Sequence, residues 1–373
     1  MRRFCQLCKI LVYSKGDMKY LNALNRINGL GPQKMKILLD FFGSDEGIWK
    51  APLDDLVKSG IGEALSEKVF SEKKSLDPEG EWDKLEKEHI RAVPFNNPSY
   101  PPLLKEIPSA PYILYIKSSL DISELFKGPM IAIVGSRKMT SYGKQAAYSF
   151  ARDLASAGII IVSGMALGID AESHLGALEA GGKTIAVLGS SLEDNNIGPK
   201  ANYNLSKRII DSGALISDFP LGNPSLPAFF PARNRLMAGL TLGTLVVEAA
   251  ADSGSLITAN LALEFNREVF SVPGPIFSPT SEGTNQLLKL GAKPVTGVQD
   301  ILEELNLEKR ADAENAKKII PDSPEEALLF KELSKEPVHI DKLVKLTTLK
   351  PAIVSSVLVM MEMKGIVRDI GGQ

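Results

Sequence analysis

From residue 131 onward, apolar residues fall in short unbroken runs separated by stretches of helical periodicity. Strand-like runs lie at 131–134, 159–163, 183–188, 214–217, 244–247 and 268–272, and helical spacing runs through 142–157, 169–179, 203–211, 256–265 and 284–290. Apolar strands that do not alternate with polar residues are covered on both faces, and a helical crossover between successive strands makes them parallel. The pattern predicts an α/β fold over residues 91–305: a Rossmann-like parallel sheet with helices on both faces.

The pattern changes on either side. Residues 18–90 read as a small helical domain of the SAM or helix-hairpin-helix type. Asn28, Gly29, Leu30, Gly31 and Pro32 turn the chain ahead of Met35, Leu38 and Leu39, and Ser59, Gly60, Ile61 and Gly62 repeat the device ahead of Leu65 and Val69. Such a turn either offers N–H groups to a phosphate or merely packs two helices, since glycine is wanted there for backbone geometry alone. In 92–117, Pro98, Pro101, Pro102, Pro108 and Pro111 exclude a continuous helix, so the segment reads as a connector ending in a strand at 112–116. Residues 306–322 are charged and read as a linker. Ser323, Pro324 and Glu326 then give an N-cap, a first-turn proline and a capping-box acid. Helices at 341–346 and 351–364 and a short hairpin complete a winged helix over 323–373. Its third helix offers the apolar face Ile353, Val357, Met360 and Met361 with Lys364 as the one internal cation, weak equipment for a major groove.

Composition narrows the chemistry. Lysine and arginine number 43 against 45 acids, a formal net charge of -2 over 373 residues. The whole-molecule field cannot attract phosphate, so a nucleic-acid site has to be a local patch. No apolar run approaches the roughly 20 residues that span a bilayer, and the only cysteines are Cys5 and Cys8; the chain reads as cytoplasmic, with no membrane partner. Cys5 and Cys8 have the spacing of half a zinc site, but His89, His174 and His339 lie in unrelated segments, so no metal is assigned. Residues 4–12 have a signal-peptide core's apolarity without a small-residue cleavage site, and 1–17 read as a disordered extension or a product of start-site choice.

Candidate chemistry gathers at the carboxyl ends of the strands, where open α/β sheets bind ligands. Gly135, Ser136 and Arg137 follow the first run, Ser163, Gly164 and Gly168 the second, and Ser253, Gly254 and Ser255 the fifth. A glycine turn feeding a helix presents N–H groups to a phosphate. Phe230, Arg233, Asn234 and Arg235 add an aromatic ring and cations. Neither a Gly-x-Gly-x-x-Gly after the first strand nor a P-loop is present, which removes support for nicotinamide, flavin and ATP, and no cofactor is assigned. Asp170, His174 and Glu248 fall in different turns, so no catalytic residue is assigned; His174, four residues after Asp170, reads as its hydrogen-bonded helix partner. Of Phe229 and Phe230, one is expected to pack beneath the loop and the other, Phe230, to face the ligand. Arg235 is open between a phosphate contact and an ion pair with Glu248 or Asp252.

The motifs Tyr100-Pro101-Pro102-Leu103-Leu104, Gly135-Ser136-Arg137, Ser163-Gly164-Met165-Ala166-Leu167-Gly168-Ile169-Asp170, Phe230-Pro231-Ala232-Arg233-Asn234-Arg235, Ser253-Gly254-Ser255 and Val272-Pro273-Gly274 occur in this order. In that order they resemble the DNA-processing protein A family, also called Smf or DprA, from about Met18 to the C-terminus. The resemblance implies a non-catalytic bacterial protein that binds single-stranded DNA, forms a homodimer and helps RecA recombinase load onto incoming DNA in natural transformation. It gives Arg137 a phosphate, with Gly135 and Ser136 as donors, and Phe230 a stacked base. Three departures stand out: Ala232 where a second arginine is usual, Glu193 and Asp194 in a loop that lacks the usual Tyr-Pro, and Asp218 in place of a glutamate. The alternative is a nucleotide-processing hydrolase on a related sheet, from the Gly243-Thr244 and Glu248 echo of phosphoribohydrolases.

Overall fold

The computed structural model describes residues 18–308, 323–333, 338–363 and 367, in two compact units that divide after Glu308. The strands of the first are β1 (Arg91–Pro94), β2 (Ile113–Lys117), β3 (Met130–Val134), β4 (Ile160–Ser163), β5 (Thr184–Val187), β6 (Ala214–Ser217), β7 (Gly243–Val246), β8 (Glu268–Ser271) and β9 (Lys293–Pro294). They form one sheet in the order β1-β2-β6-β5-β4-β3-β7-β8-β9. From β6 to β9 all pairings are parallel, while β2 pairs antiparallel with both β1 and β6. The Rossmann-like sheet is therefore mixed, because the proline-rich connector adds two antiparallel strands at one end of it. Only β2 is visible in the sequence; β1 is four residues long and ends in Pro94, too short to make a run.

Six described helices precede the sheet: α1 (Met18–Asn25), α2 (Pro32–Phe42), α3 (Asp45–Lys50), α4 (Leu53–Lys58), α5 (Glu63–Glu72) and α6 (Pro78–Lys87). The glycine turns sit where the sequence places them, between α1 and α2 and between α4 and α5, with Gly29, Gly60 and Gly62 at positive φ. Helix α1 docks on the sheet through polar contacts: the Tyr115 hydroxyl donates to Asn22 Oδ1 at 2.8 Å and accepts from Asn25 Nδ2 at 3.2 Å. Two single-turn helices, α7 (Pro102–Lys105) and α8 (Ile122–Leu125), flank β2.

The chain lays down β3 to β6 in one direction and then returns to the other side of β3 for β7 to β9. The carboxyl ends of β3 and β7 thus form the topological switch point, the place where such sheets open a crevice for ligands. Helices α9 (Ser141–Ser156), α10 (Ile169–Glu179) and α11 (Tyr203–Ser212) connect the first four parallel strands. A Cβ on Gly176 of α10 would come within 2.3 Å of the Tyr148 carbonyl oxygen on α9, so glycine sets the spacing of that pair. Alternate strand residues feed two cores. Ile185, Val187 and Ile216 face one core together with Leu236, Ala259 and Leu287, and Ala186, Leu188 and Leu215 face the other. The helices on the first face include α12 (Phe229–Leu240), α13 (Gly254–Glu264) and α14 (Glu282–Lys289), and α15 (Val298–Glu304) follows β9. Each fully buried Leu or Ile contributes roughly 1.5–3 kcal/mol to holding these layers. Helix α12 is missing from the sequence pattern because Pro231 interrupts it; proline is tolerated in a first turn, where the N–H has no intrahelical acceptor.

The second unit contains α16 (Pro324–Glu332), α17 (Ile340–Thr347) and α18 (Pro351–Met363) around Leu329, Leu343, Val354 and Met361. Ser323 Oγ accepts from the Glu326 N–H at 3.1 Å, the expected N-cap. The apolar face of α18 is divided: Met361 is buried together with Val354, Val357 packs against them, and Ile353 and Met360 are exposed. The hairpin at 365–368, Lys364, the linker beyond Glu308 and the segment with Cys5 and Cys8 lie outside the described residues, apart from Val367.

Candidate nucleic-acid interface

Gly135, Ser136 and Arg137 leave β3 at the switch point, and the turn is built from backbone contacts. The Ser136 N–H donates to the Glu248 carbonyl at 2.8 Å, and the Ser136 carbonyl accepts from Ile169 N–H at 3.1 Å. A Cβ on Gly135 would meet Glu248 and Ile169 at 2.8 Å, and one on Gly168, whose φ is +81, would lie 2.3 Å from the Ser136 carbonyl. Both glycines are there because two loops touch. The Ser136 N–H is used inside the protein, and its Oγ accepts from Lys138 N–H at 3.1 Å.

The N-terminus of α9 is also occupied, by Glu248. Its carboxylate accepts from the Thr140 N–H at 2.9 Å and from the Thr140 hydroxyl, which in turn accepts from Gly143 N–H at 3.1 Å. The residue is 2% exposed. A buried carboxylate here takes the favourable field of the helix terminus that a nucleotide phosphate takes in a dinucleotide-binding sheet. The sequence offers Glu248 as a hydrolase echo; in the fold it is a cap, and its signal is the N-cap Thr140 rather than the Gly-Thr before it.

Arg137 itself is exposed, and its guanidinium lies over the Phe230 ring, 5.0 Å from the centroid. Lys138, exposed in the same turn, is a cation that the motifs pass over; its only sequence signal is that it adjoins Arg137. Phe230 is half-buried and rests against Gly189, where a Cβ would stand 3.0 Å from Cδ1. Phe229 instead packs on Phe219, ring centroids 4.7 Å apart. The two adjacent rings are buried to a similar degree and differ in what they touch: Phe229 meets another ring, and Phe230 meets the cation.

The remaining cations of the run are not free. Arg233 is 4% exposed and donates to the Gly164 carbonyl at 2.8 Å and to the Val187 carbonyl, tying the carboxyl ends of β4 and β5 together. Burial pushes its guanidinium down to about 10, against the nearby Asp170 carboxylate, which holds it up. Gly164 is the residue that makes room, since a Cβ there would lie 2.4 Å from the guanidinium. Arg235 pairs with Asp218 and donates to the Ser109 carbonyl; the partner is neither Glu248 nor Asp252. Asn234 is buried, accepting from Arg233 Nε at 3.3 Å and donating to the Gly254 carbonyl at 3.4 Å. Ser163 Oγ donates to Ile133 O at 2.7 Å, and Ser253 caps α13, its Oγ 2.8 Å from that of buried Ser255. Of the sequence candidates, Arg137 and Phe230 therefore form a cation–ring pair with the cation exposed, whereas Ser163, Arg233, Asn234 and Ser255 are buried and Arg235 is ion-paired.

Two further readings change. His174 does not bond Asp170; its Nδ1 lies 2.7 Å from Thr184 Oγ1, while Asp170 Oδ2 accepts from the N–H groups of Gly164 and Ala166, both at 3.2 Å. The two acids of the loop after β5 are also engaged within the protein. Asp194 holds Lys207 at 2.8 Å and Lys117 at 2.9 Å, and those hydrogen bonds keep its carboxyl well below the usual carboxylate range. Glu193 accepts from Ser191, Asn196 and Gly222. These acids fasten the loop rather than repel a ligand. Among the described residues no three His, Cys, Asp or Glu side chains are grouped to hold a metal, and no single helix is long and apolar enough to cross a membrane.

With that geometry in place, the comparisons with known proteins are specific. The family model for DNA recombination-mediator protein A matches residues 91–306, and that of the DprA winged helix domain matches 313–373. Protein Smf of Synechocystis is 35% identical over 311 residues, 83% of this chain and 77% of the relative. Protein Smf of Escherichia coli is 42% identical over 264 residues, covering 70% of this chain and 69% of the relative. The X-ray structure of DNA processing protein A from Streptococcus pneumoniae superposes with a TM-score of 0.66 at 34% identity, over 77% of this chain and 97% of that one. The DNA processing protein A of Helicobacter pylori, whose structure concerns its single-stranded DNA binding mode, gives 0.52 at 30% identity over 58% and 95%. The fold, the order of the motifs and these matches agree: this chain belongs to the DNA-processing protein A (DprA/Smf) family.

Proposed function

We propose that this protein binds single-stranded DNA across the carboxyl edge of its sheet, as a non-catalytic cytoplasmic homodimer that shields incoming DNA and helps load RecA recombinase. The observation that carries the reading is the Arg137 guanidinium over the Phe230 ring at the switch point. Single strands are held by cations that follow the phosphates and by rings on which bases stack, and this pair supplies one of each. The Helicobacter pylori relative, whose single-stranded DNA binding mode has been described, supports the same ligand. A nucleotide hydrolase is less well served, because Glu248 is committed to capping α9.

The test is a filter-binding titration with single- and double-stranded oligonucleotides at several salt concentrations. Arg137→Ala is expected to weaken single-strand binding and to flatten the salt slope by roughly 0.7 for each phosphate that is no longer neutralised. An unchanged slope would make Arg137 a structural residue. Deleting the chain after Ala316 is expected to leave single-strand affinity nearly intact, since the exposed cation and ring belong to the first unit and α18 exposes Ile353, Val359 and Met360 rather than basic side chains. A loss beyond about tenfold, roughly 1.4 kcal/mol, would place the winged helix in the DNA site.

A further inference from the structure

We propose that the loop tip formed by Ile276 and Phe277 is a second nucleobase platform, which extends the single-strand track from the Arg137 turn to the end of β8. The proposal rests on the single-strand reading above. Phe277 is 93% exposed and Ile276 81%, the two highest values among the large apolar residues described. The loop that carries them is pinned rather than loose. The Asn285 side chain accepts from the Gly274 N–H at 3.3 Å and donates to the Gly274 carbonyl at 3.1 Å. The Ser278 N–H donates to the Pro275 carbonyl and the Ser281 N–H to the Ser278 carbonyl, both at 3.0 Å, while the Ser278 and Thr280 hydroxyls lie 2.9 Å apart. Pro273, Pro275 and Pro279 stiffen it further. A loop fixed in this way has already lost its conformational entropy, so a base that lands on the ring has little ordering left to impose.

Continuity with the Arg137 turn argues for a base as the occupant. Glu248 takes Thr140 on one side and accepts from the Thr280 hydroxyl at 3.4 Å on the other, and the Tyr142 hydroxyl donates to the Pro273 carbonyl at 2.9 Å. Strands β3, β7 and β8 are neighbours, so the two loops emerge two strand spacings apart, about 10 Å. The sequence between Arg267 and Lys289 holds no basic residue, and the exposed acids Asp252 and Glu282 stand in the adjoining turns. Phosphate is therefore held at Arg137 and Lys138, and the tip contributes a ring face without charge.

That division of labour is measurable in the full-length protein with oligo-dT of increasing length at several salt concentrations. Phe277→Ala is expected to match the wild type on the shortest oligonucleotides that bind, to lose about tenfold on longer ones, and to keep the wild-type salt slope, because stacking releases no counterions. Phe277→Trp is expected to retain affinity and to change its emission on binding, read as a difference from the wild type, whose tryptophans are Trp49 and Trp82 in the helical domain. If the wild type binds and F277A equals it at every length while the emission of F277W is unmoved, the platform alone is overturned; a changed slope in F277A also overturns it. If the wild type itself does not bind oligo-dT, the single-strand reading falls first.

Discussion

Replacing Phe230 by alanine is expected to weaken single-strand binding by about 1 to 3 kcal/mol and duplex binding far less, because a stacked ring needs an unpaired base but accepts any of the four. The ring is placed for it: half-buried, backed by Gly189 and covered on its open side by the end of an exposed arginine. A base displacing Arg137 from the ring would leave the guanidinium beside the phosphate of the same nucleotide. Phe230→Tyr keeps the ring face and is expected to bind as the wild type does. Phe229→Ala is the control. Its ring packs on Phe219, so its removal is expected to lower the melting temperature and leave the affinity of the folded protein unchanged. Selective loss of single-strand binding in F229A, with F230A unfolded, would show the two roles reversed.

The fold is legible in the sequence wherever one run of apolar residues can fill one strand. Ile131 to Val134 in β3 and Ala214 to Ser217 in β6 are buried at every position, and such strands cannot hide. The edge strand β1 and helix α12 are not legible, the first because it is too short for any period, the second because Pro231 breaks the pattern inside its first turn. For the site, position is readable and commitment is not. Glycine and arginine at strand ends locate the switch point, yet nothing local distinguishes exposed Arg137 from buried Arg233. The difference lies in what each meets: Arg137 leaves a turn that faces outward, whereas Arg233 sits one turn into α12 under the carbonyls of two strand ends. The role of Asp194 is hidden for the same reason, since its partners Lys117 and Lys207 lie in β2 and α11, whereas Glu193 bonds Ser191 and Asn196 inside its own loop as well as Gly222.

Arg233→Met is expected to cost about 3 to 5 kcal/mol of stability, the penalty for removing one member of a buried charged set, and to do so without a separate defect in the folded protein's DNA binding. The guanidinium satisfies the Gly164 and Val187 carbonyls, and it sits near Asp170, whose carboxyl is raised by burial and lowered by Arg233. The cost should depend on pH, and the sign follows from the two groups that remain. Without Arg233, the Asp170 pKa rises further above its unfolded value, so the native state binds a proton more readily than the unfolded chain and is destabilised as pH rises through that folded value. His174, held down to about 3 by burial and then by the same arginine, with no hydrogen-bond partner for Nε2 among the described residues, would move back toward its ordinary range. Both changes let the variant take up protons that the wild type refuses, so the gap between the two melting curves should narrow from pH 7 toward pH 5. Asp170→Asn in the R233M background should recover part of the loss at pH 7, because the amide removes the carboxylate that was left unpaired. A variant that melts like the wild type at both pH values while its single-strand salt slope falls would return Arg233 to the DNA.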